Sequence, residues 1–191
     1  MSAINMNLVK KLREQTQVGL MDCRKALEES QGDYEKALEI LRKKGAAVAA
    51  KRAENVTNHG RIESFINADY TVGVLAETSC ETDFAANTDA MKDFVVTVAS
   101  HIATKNPATV EQLMGQPLAS NTKMTVKQRL DELISKICEN IKVNRFARFA
   151  VAGHGLVNSY IHPGSTVGVM VELTTDKDPS SARQDLLMLA K

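Results

Sequence analysis

The arrangement closest to reactive chemistry in this 191-residue chain is a thiol and a carboxylate three positions apart, Cys80 and Asp83. A thiol attacks as its thiolate and needs a base or cation nearby to reach that form. No histidine stands beside Cys80 in sequence, and a cysteine that closes a β-rich run is more commonly buried and inert. His59, His101, His154 and His162 have no metal-ligand spacing to one another or to Cys23, Cys80 and Cys138. Each reads as a surface or turn histidine. No phosphate loop, dinucleotide fingerprint or nucleophile elbow is present, and Gly153-His154-Gly155 reads as a flexible turn. The residues point away from an enzyme and imply no cofactor and no metal site. An enzyme using Cys80 is the minor alternative, which thiol alkylation with a turnover assay tests.

The stretch Cys80-Glu81-Thr82-Asp83-Phe84-Ala85-Ala86-Asn87 suits contact better than reaction. It joins a β-rich run, Thr71 to Ser79, to a helical one, Asp89 to Thr104, and such connections lie at the surface and often carry function. Thr82, or Asp83 one step later, suits the cap of the following helix. Phe84 stands between a carboxylate and two small alanines. Its ring either projects for insertion into a partner or folds back as a core plug, and the spacing alone leaves both readings open.

The elements that hold this stretch follow from composition and periodicity. Hydrophobic residues make up 43% and charged ones 25%, the balance of an ordinary globular protein. Aromatics are only 4%, so aliphatic and methionine packing must fill the core. A net charge of +1 exerts no general pull on nucleic acid or membrane. No apolar run approaches the roughly 20 residues of a membrane span. Three widely separated cysteines fit a reducing cytoplasm.

Residues 1–54 read as three short helices. Leu8, Val9 and Leu12 mark the first, Met21, Cys23, Ala26 and Leu27 the second, and Tyr34, Ala37, Leu38 and Leu41 the third. Gly32-Asp33 reads as a stop followed by a cap, and the third helix is expected to end near Lys43-Lys44-Gly45. Such a bundle is too small to enclose a catalytic cleft and reads as a docking device. An Ala-rich linker, helical or semi-flexible, follows to about residue 58. Residues 60–79 read as a hairpin turning at Asn67-Ala68-Asp69. Met91, Phe94, Val95, Val98 and Ile102 form one helical stripe, and Leu130, Leu133, Ile134, Ile137 and Ile141 another. Thr109 with Gln112 and Thr125 with Gln128 read as capping boxes. Gly115 to Lys123 reads as loop, and Asn140 to Ala152 as β.

An internal repeat organises the second part. Gly60-Arg-Ile-Glu-Ser-Phe-Ile matches Gly155-Leu-Val-Asn-Ser-Tyr-Ile, and Thr71-Val-Gly-Val-Leu-Ala-Glu matches Thr166-Val-Gly-Val-Met-Val-Glu. Both pairs are offset by 95 positions (155 − 60 and 166 − 71). The Asp83-Phe84 stretch belongs to one copy only, since the second has Thr175-Asp176-Lys177-Asp178-Pro179 there. That shifts weight toward a functional Phe84. A final helix is expected after Pro179, through Leu186 to Leu189. With that cover short, residues 155–191 are expected to self-associate or to be locally disordered. The expected fold class is α+β: a bundle at 1–54, a first core half at 55–152 and the start of a second at 153–191.

Several segments together resemble elongation factor Ts, the bacterial and organellar family of guanine-nucleotide exchange factors for elongation factor Tu. Leu12-Arg13-Glu14-Gln15-Thr16 with Gly19 to Leu27 is similar to its N-terminal signature. Gly32-Asp33 with Leu41 to Gly45 continues that likeness. Thr82-Asp83-Phe84-Ala85 resembles its Thr-Asp-Phe-Val motif, Glu139-Asn140-Ile141 its Gly-Glu-Asn-Ile region, and Ser159-Tyr160-Ile161-His162 its second hairpin. Gln17, Ala85 and Cys138 depart from the family pattern, and the long form of the family continues well past residue 191. The resemblance implies a ubiquitin-associated-like bundle that docks on GDP-bound elongation factor Tu, with Arg13 and Met21 in its contact region. It implies that Thr82, Asp83, Phe84 and Ala85, with His162, disturb the magnesium site of that GTPase and release GDP. No covalent chemistry, direct nucleic-acid contact or membrane contact is implied. The alternative is an adaptor that binds a protein partner without driving exchange.

Overall fold

The computed structural model describes residues 5–16, 18–176, 184–185 and 188. Gln17, Pro179, Leu186, Leu187 and Leu189, which entered the sequence reading, lie outside the described residues. The chain opens with helices α1 (Met6–Thr16), α2 (Leu20–Glu29) and α3 (Tyr34–Arg52). Strands β1 (His59–Ile66) and β2 (Val72–Cys80) follow, then α4 (Asp83–Ala86), α5 (Asp89–Lys105) and α6 (Val110–Gly115). A short hairpin of β3 (Pro117–Leu118) and β4 (Asn121–Thr125) precedes α7 (Val126–Ile137). Strands β5 (Ile141–Ala150), β6 (Gly155–Ile161) and β7 (Gly168–Thr174) complete an α+β protein.

The elements form two compact units, Met1–Asn55 with Lys127–Asn140, and Val56–Val126 with Ile141–Lys191. In the first, Val9, Leu12, Cys23, Ala26, Leu27, Ala37, Leu38 and Leu41 make a closed core. After α2 the left-handed step falls first on Gln31, at φ +55°, and then on Gly32, at φ +86°, whose N–H donates to the Leu27 carbonyl at 2.8 Å. The Asp33 carboxylate then caps α3 by accepting from Lys36 N at 3.1 Å, which holds its pKa below the ordinary value. α3 does not stop at Gly45 but runs on to Arg52. Ala46 to Ala50 are strong helix formers apart from Val48, so the helix continues past Gly45, which packs close to α7. A Cβ there would lie 3.4 Å from the Asp131 carbonyl of α7. Asn140, buried after α7, donates to the carbonyls of Ala53 and Asn55 at 3.2 and 2.7 Å, satisfying the chain that leaves α3.

The second unit is built on an antiparallel sheet in the order β1-β2-β5 and a two-stranded sheet of β6 and β7. Asn67 sets the first hairpin by accepting from Thr71 N and Val72 N at 2.8 and 2.9 Å. On one sheet face Val74 and Ala76 are fully buried, with Met91, Phe94, Val95, Val98 and Ile102 of α5 as the matching stripe. The other face receives the second hairpin, and the contacts are reciprocal. Ile62 N donates to Ser165 O and Val157 N to Tyr70 O, each at 2.7 Å. A Cβ on Gly73 would meet Val157 and Met170, and one on Gly168 would meet Ile62 and Leu75. Each member of these pairs is its counterpart's repeat mate, 95 positions away. Ser64 and Ser159, mates of each other, join through their hydroxyls at 2.9 Å. The two copies therefore pack about an approximate two-fold axis. The second hairpin is not left without cover: one face is closed by its own twin, while Val167 and Val169 stay exposed.

One further stretch departs from the sequence reading. Gly115 to Lys123 is not plain loop, because Pro117–Leu118 pairs with Asn121–Thr125. Buried His101 explains how so short a hairpin is held. Its Nδ1 accepts from Ala119 N at 3.0 Å, so the proton sits on Nε2, which donates to Gln116 Oε1 at 2.8 Å.

Candidate partner-binding site

β2 ends at Cys80, whose thiol is fully buried and donates to the Thr82 carbonyl at 3.1 Å. That placement supports a structural thiol rather than a nucleophile. Of the two capping candidates, Thr82 takes the role: its backbone is extended and its hydroxyl accepts from Ala85 N at 3.2 Å. Ala85 and Ala86 are buried and anchor the single turn of α4. Thr88 closes the other side, donating to Ala85 O at 2.8 Å while capping α5 through Met91 N at 3.2 Å. Asn87 adds a bond from its amide to Asp83 O at 2.9 Å. The chain thus leaves a strand, makes one fully bonded turn and enters a long helix.

On this turn Phe84 is 82% exposed, which removes the core-plug reading. Small buried neighbours on one side and solvent on the other leave an aromatic ring standing on a fixed base. Asp83 is exposed beside it, and its carboxylate accepts from the Phe84 amide at 2.9 Å. Asp83 is not needed as the cap, so its charge faces outward from a position the turn already fixes.

His162 lies on the β6–β7 turn and is exposed. Tyr160 supports it, with Oη 3.1 Å from His162 Nδ1 and the rings in an edge arrangement 6.0 Å apart. Ser165, three residues on, accepts from Ile62 N, and Ile62 pairs with Glu77 near the end of β2. The His162 turn therefore sits toward the end of the sheet from which α4 emerges. A groove of about 380 Å³ there is lined in part by His59, Arg61, Ser79, Ser165 and Thr166. Arg13 and Met21 belong to the other unit. Arg13 is exposed in the last turn of α1, and Met21 is 61% exposed on α2.

The sequence reading passed over Arg61. The sequence places it only within the repeated hairpin strand, yet its guanidinium is largely buried against α4. Nη1 donates to Ala86 O at 3.3 Å and Nε to Glu63 Oε1 at 2.5 Å. Two like-facing opposite charges at i and i+2 on a strand were the available signal. Among the described residues, no cluster of three or more His, Cys, Asp or Glu is placed to hold a metal. No described helix is long and apolar enough to cross a membrane.

Residues 81–189 match the family model described as Elongation factor TS. Among curated relatives, elongation factor Ts of Trichlorobacter lovleyi is 46% identical over 92% of this chain and 56% of its own length. That of Nostoc sp. is 41% identical over 100% of this chain and 61% of its own. That of Clostridium perfringens is 46% identical over 91% and 56%. The chain spans about three-fifths of the length of these relatives. With the matching family model covering more than half of it, the chain belongs to the elongation factor Ts family.

Proposed function

We propose that this chain promotes GDP release from elongation factor Tu by pressing the Asp83-Phe84 turn into the GTPase beside its magnesium and phosphate site. The observation that carries this reading is Phe84: a large apolar ring, 82% exposed, on a turn whose every flank is capped. GDP is held by a phosphate cradle and a magnesium ion, which is among the largest local charges in such sites. A wedge that displaces magnesium ligands weakens GDP, and by linkage GDP weakens the factor equally. His162 presents a second contact from the neighbouring turn, and the bundle docks through Arg13 and Met21. The reaction is a ligand exchange between binding sites and makes or breaks no covalent bond. The proposed setting is the cytoplasm.

Stopped-flow release of fluorescent GDP from elongation factor Tu tests the reading directly. Acceleration by this chain supports it. Binding without acceleration would favour the adaptor reading instead. Exposed Val169 on β7, with exposed Val167 just before it, also supports self-association through residues 155–191. Sedimentation should then show a mass rising with concentration, and a constant monomer mass would exclude it.

A further inference from the structure

We infer that Arg61, paired with Glu63, is a positioning residue that clamps the α4 turn from beneath and so fixes how Phe84 is presented; the inference rests on the exchange reading above. The pair lies on β1, on the sheet face that α4 and α5 cover. Its side chains are only 11% and 18% exposed. Arginine and glutamate are seldom buried this far, and their desolvation must be offset by bonds of good geometry. Here the guanidinium makes two. Nε meets Glu63 Oε1 at 2.5 Å, and Nη1 meets Ala86 O at 3.3 Å. Ala86 is the last residue of α4, where helix carbonyls lack partners within the helix and a cation is favoured.

The internal repeat supplies a control within the same chain. At an offset of 95, Arg61 corresponds to Leu156 and Glu63 to Asn158, both buried. The second hairpin keeps Gly155, Ser159 and Ile161 at the positions of Gly60, Ser64 and Ile66, so its strand design is the same. It lacks the ion pair, and it also lacks the Asp-Phe stretch after its second strand. A strand of this design therefore folds with leucine and asparagine at these positions. The charged pair accompanies the copy that carries the turn, and its second donor, Nη1, bonds to that turn. Of the partners of Arg61, Glu63 holds the guanidinium plane and Ala86 receives it. A single α4 turn, anchored by two alanines, gains a third fixed point two residues from Phe84.

The test uses the full chain with the second copy's residues placed in the first, Arg61→Leu with Glu63→Asn, so that no buried charge is left unpaired. Hydrogen exchange of the factor alone reads the clamp. The amides of Ala86, Asn87 and Thr88 should exchange at least tenfold faster, while those of Val95 to Ala99 in α5 stay as in the parent. Stopped-flow GDP release reads the consequence. The maximal stimulated rate should fall about tenfold, with less than a twofold change in the factor concentration giving half that rate. Arg61→Lys, which reaches one acceptor, should lie between the two. Unchanged exchange at residues 86–88 overturns the clamp. Equal acceleration in α5 overturns it too, because the pair would then stabilise the whole unit. Faster exchange at 86–88 with an unchanged maximal rate overturns the positioning role. A parent chain that leaves GDP release unaltered defeats the exchange reading itself, and the amide comparison still decides the clamp.

Discussion

A single ring carries the strongest residue-level prediction. Phe84 is exposed, so Phe84→Ala removes almost no packing, and the unfolding midpoint should stay with the parent's. At the partner, truncation of a hot-spot aromatic costs on the order of 2 kcal/mol or more, so the stimulated release rate should drop at least roughly 30-fold. An unchanged release rate would defeat the wedge. Asp83→Asn separates charge from capping. Thr82 supplies the cap, so stability should hold, and binding to the GTPase should survive while release slows. The comparison is best made at several magnesium concentrations, where equal rates for parent and variant would show that the carboxylate does nothing there. The sequence made Phe84 legible because the second repeat lacks it. It left Thr82 and Asp83 undecided, since both are good caps and only backbone geometry tells which oxygen faces the Ala85 amide. Arg61 stayed hidden because a strand pattern reports which face a residue is on, and a polar residue on a covered face looks like an error of register.

At the scale of elements, α7 shows what periodicity conveys and what it omits. Its stripe of Leu130, Leu133 and Ile134 is buried, as the spacing implied. The spacing could not say that this helix joins the bundle unit, because an apolar stripe names no partner. The polar side of α7 supplies a test. Glu132 lies near Arg42 and Arg129, at 4.0 and 3.4 Å, yet burial pushes its pKa above the ordinary 4.5. Desolvation thus outweighs the two arginines. A carboxyl with a raised folded pKa contributes its full stability below the ordinary value and loses it as pH rises through the raised one. Glu132→Gln mimics the neutral form, so it should be at least as stable as the parent at pH 7, and the difference should vanish toward pH 4. Urea unfolding at pH 4, 5.5 and 7 measures this. A variant clearly less stable at pH 7 would mean that the arginine pairs dominate. The β3–β4 hairpin was illegible for another reason: two short strands hold their place through His101, an acceptor and donor that lies in a helix before them.

Over the whole molecule, the 95-residue offset announced two copies of one hairpin, but not that the copies face each other. Nothing in a strand pattern states which of two apolar faces meets a helix and which meets a sheet. The glycines carried that information. Gly73 and Gly168 are strand glycines, a position that weakens a strand and marks close approach by another backbone or side chain. A Cβ at Gly73 would lie 2.5 Å from Val157 Cγ1 and 2.8 Å from Met170 Sδ. One at Gly168 would lie 2.8 Å from Ile62 Cγ2 and 2.9 Å from Ile161 Cδ1. Overpacking of this kind costs about 1–3 kcal/mol, and a self-complementary interface should charge either side alike. Gly73→Ala and Gly168→Ala are therefore expected to destabilise the second unit by similar amounts, despite lying in different strands of different sheets. The double variant discriminates further. If both glycines serve one interface, the first methyl already separates the hairpins and the second meets less resistance. The double loss should then fall short of the sum of the singles by about 0.5 kcal/mol or more, where independent sites add within roughly 0.3–0.5 kcal/mol. Hydrogen exchange locates the effect: β6 and β7 amides should quicken in both single variants, including Gly73→Ala, which alters neither strand. Strictly additive losses, or quickening confined to the substituted hairpin, would show that the two copies fold side by side without depending on each other.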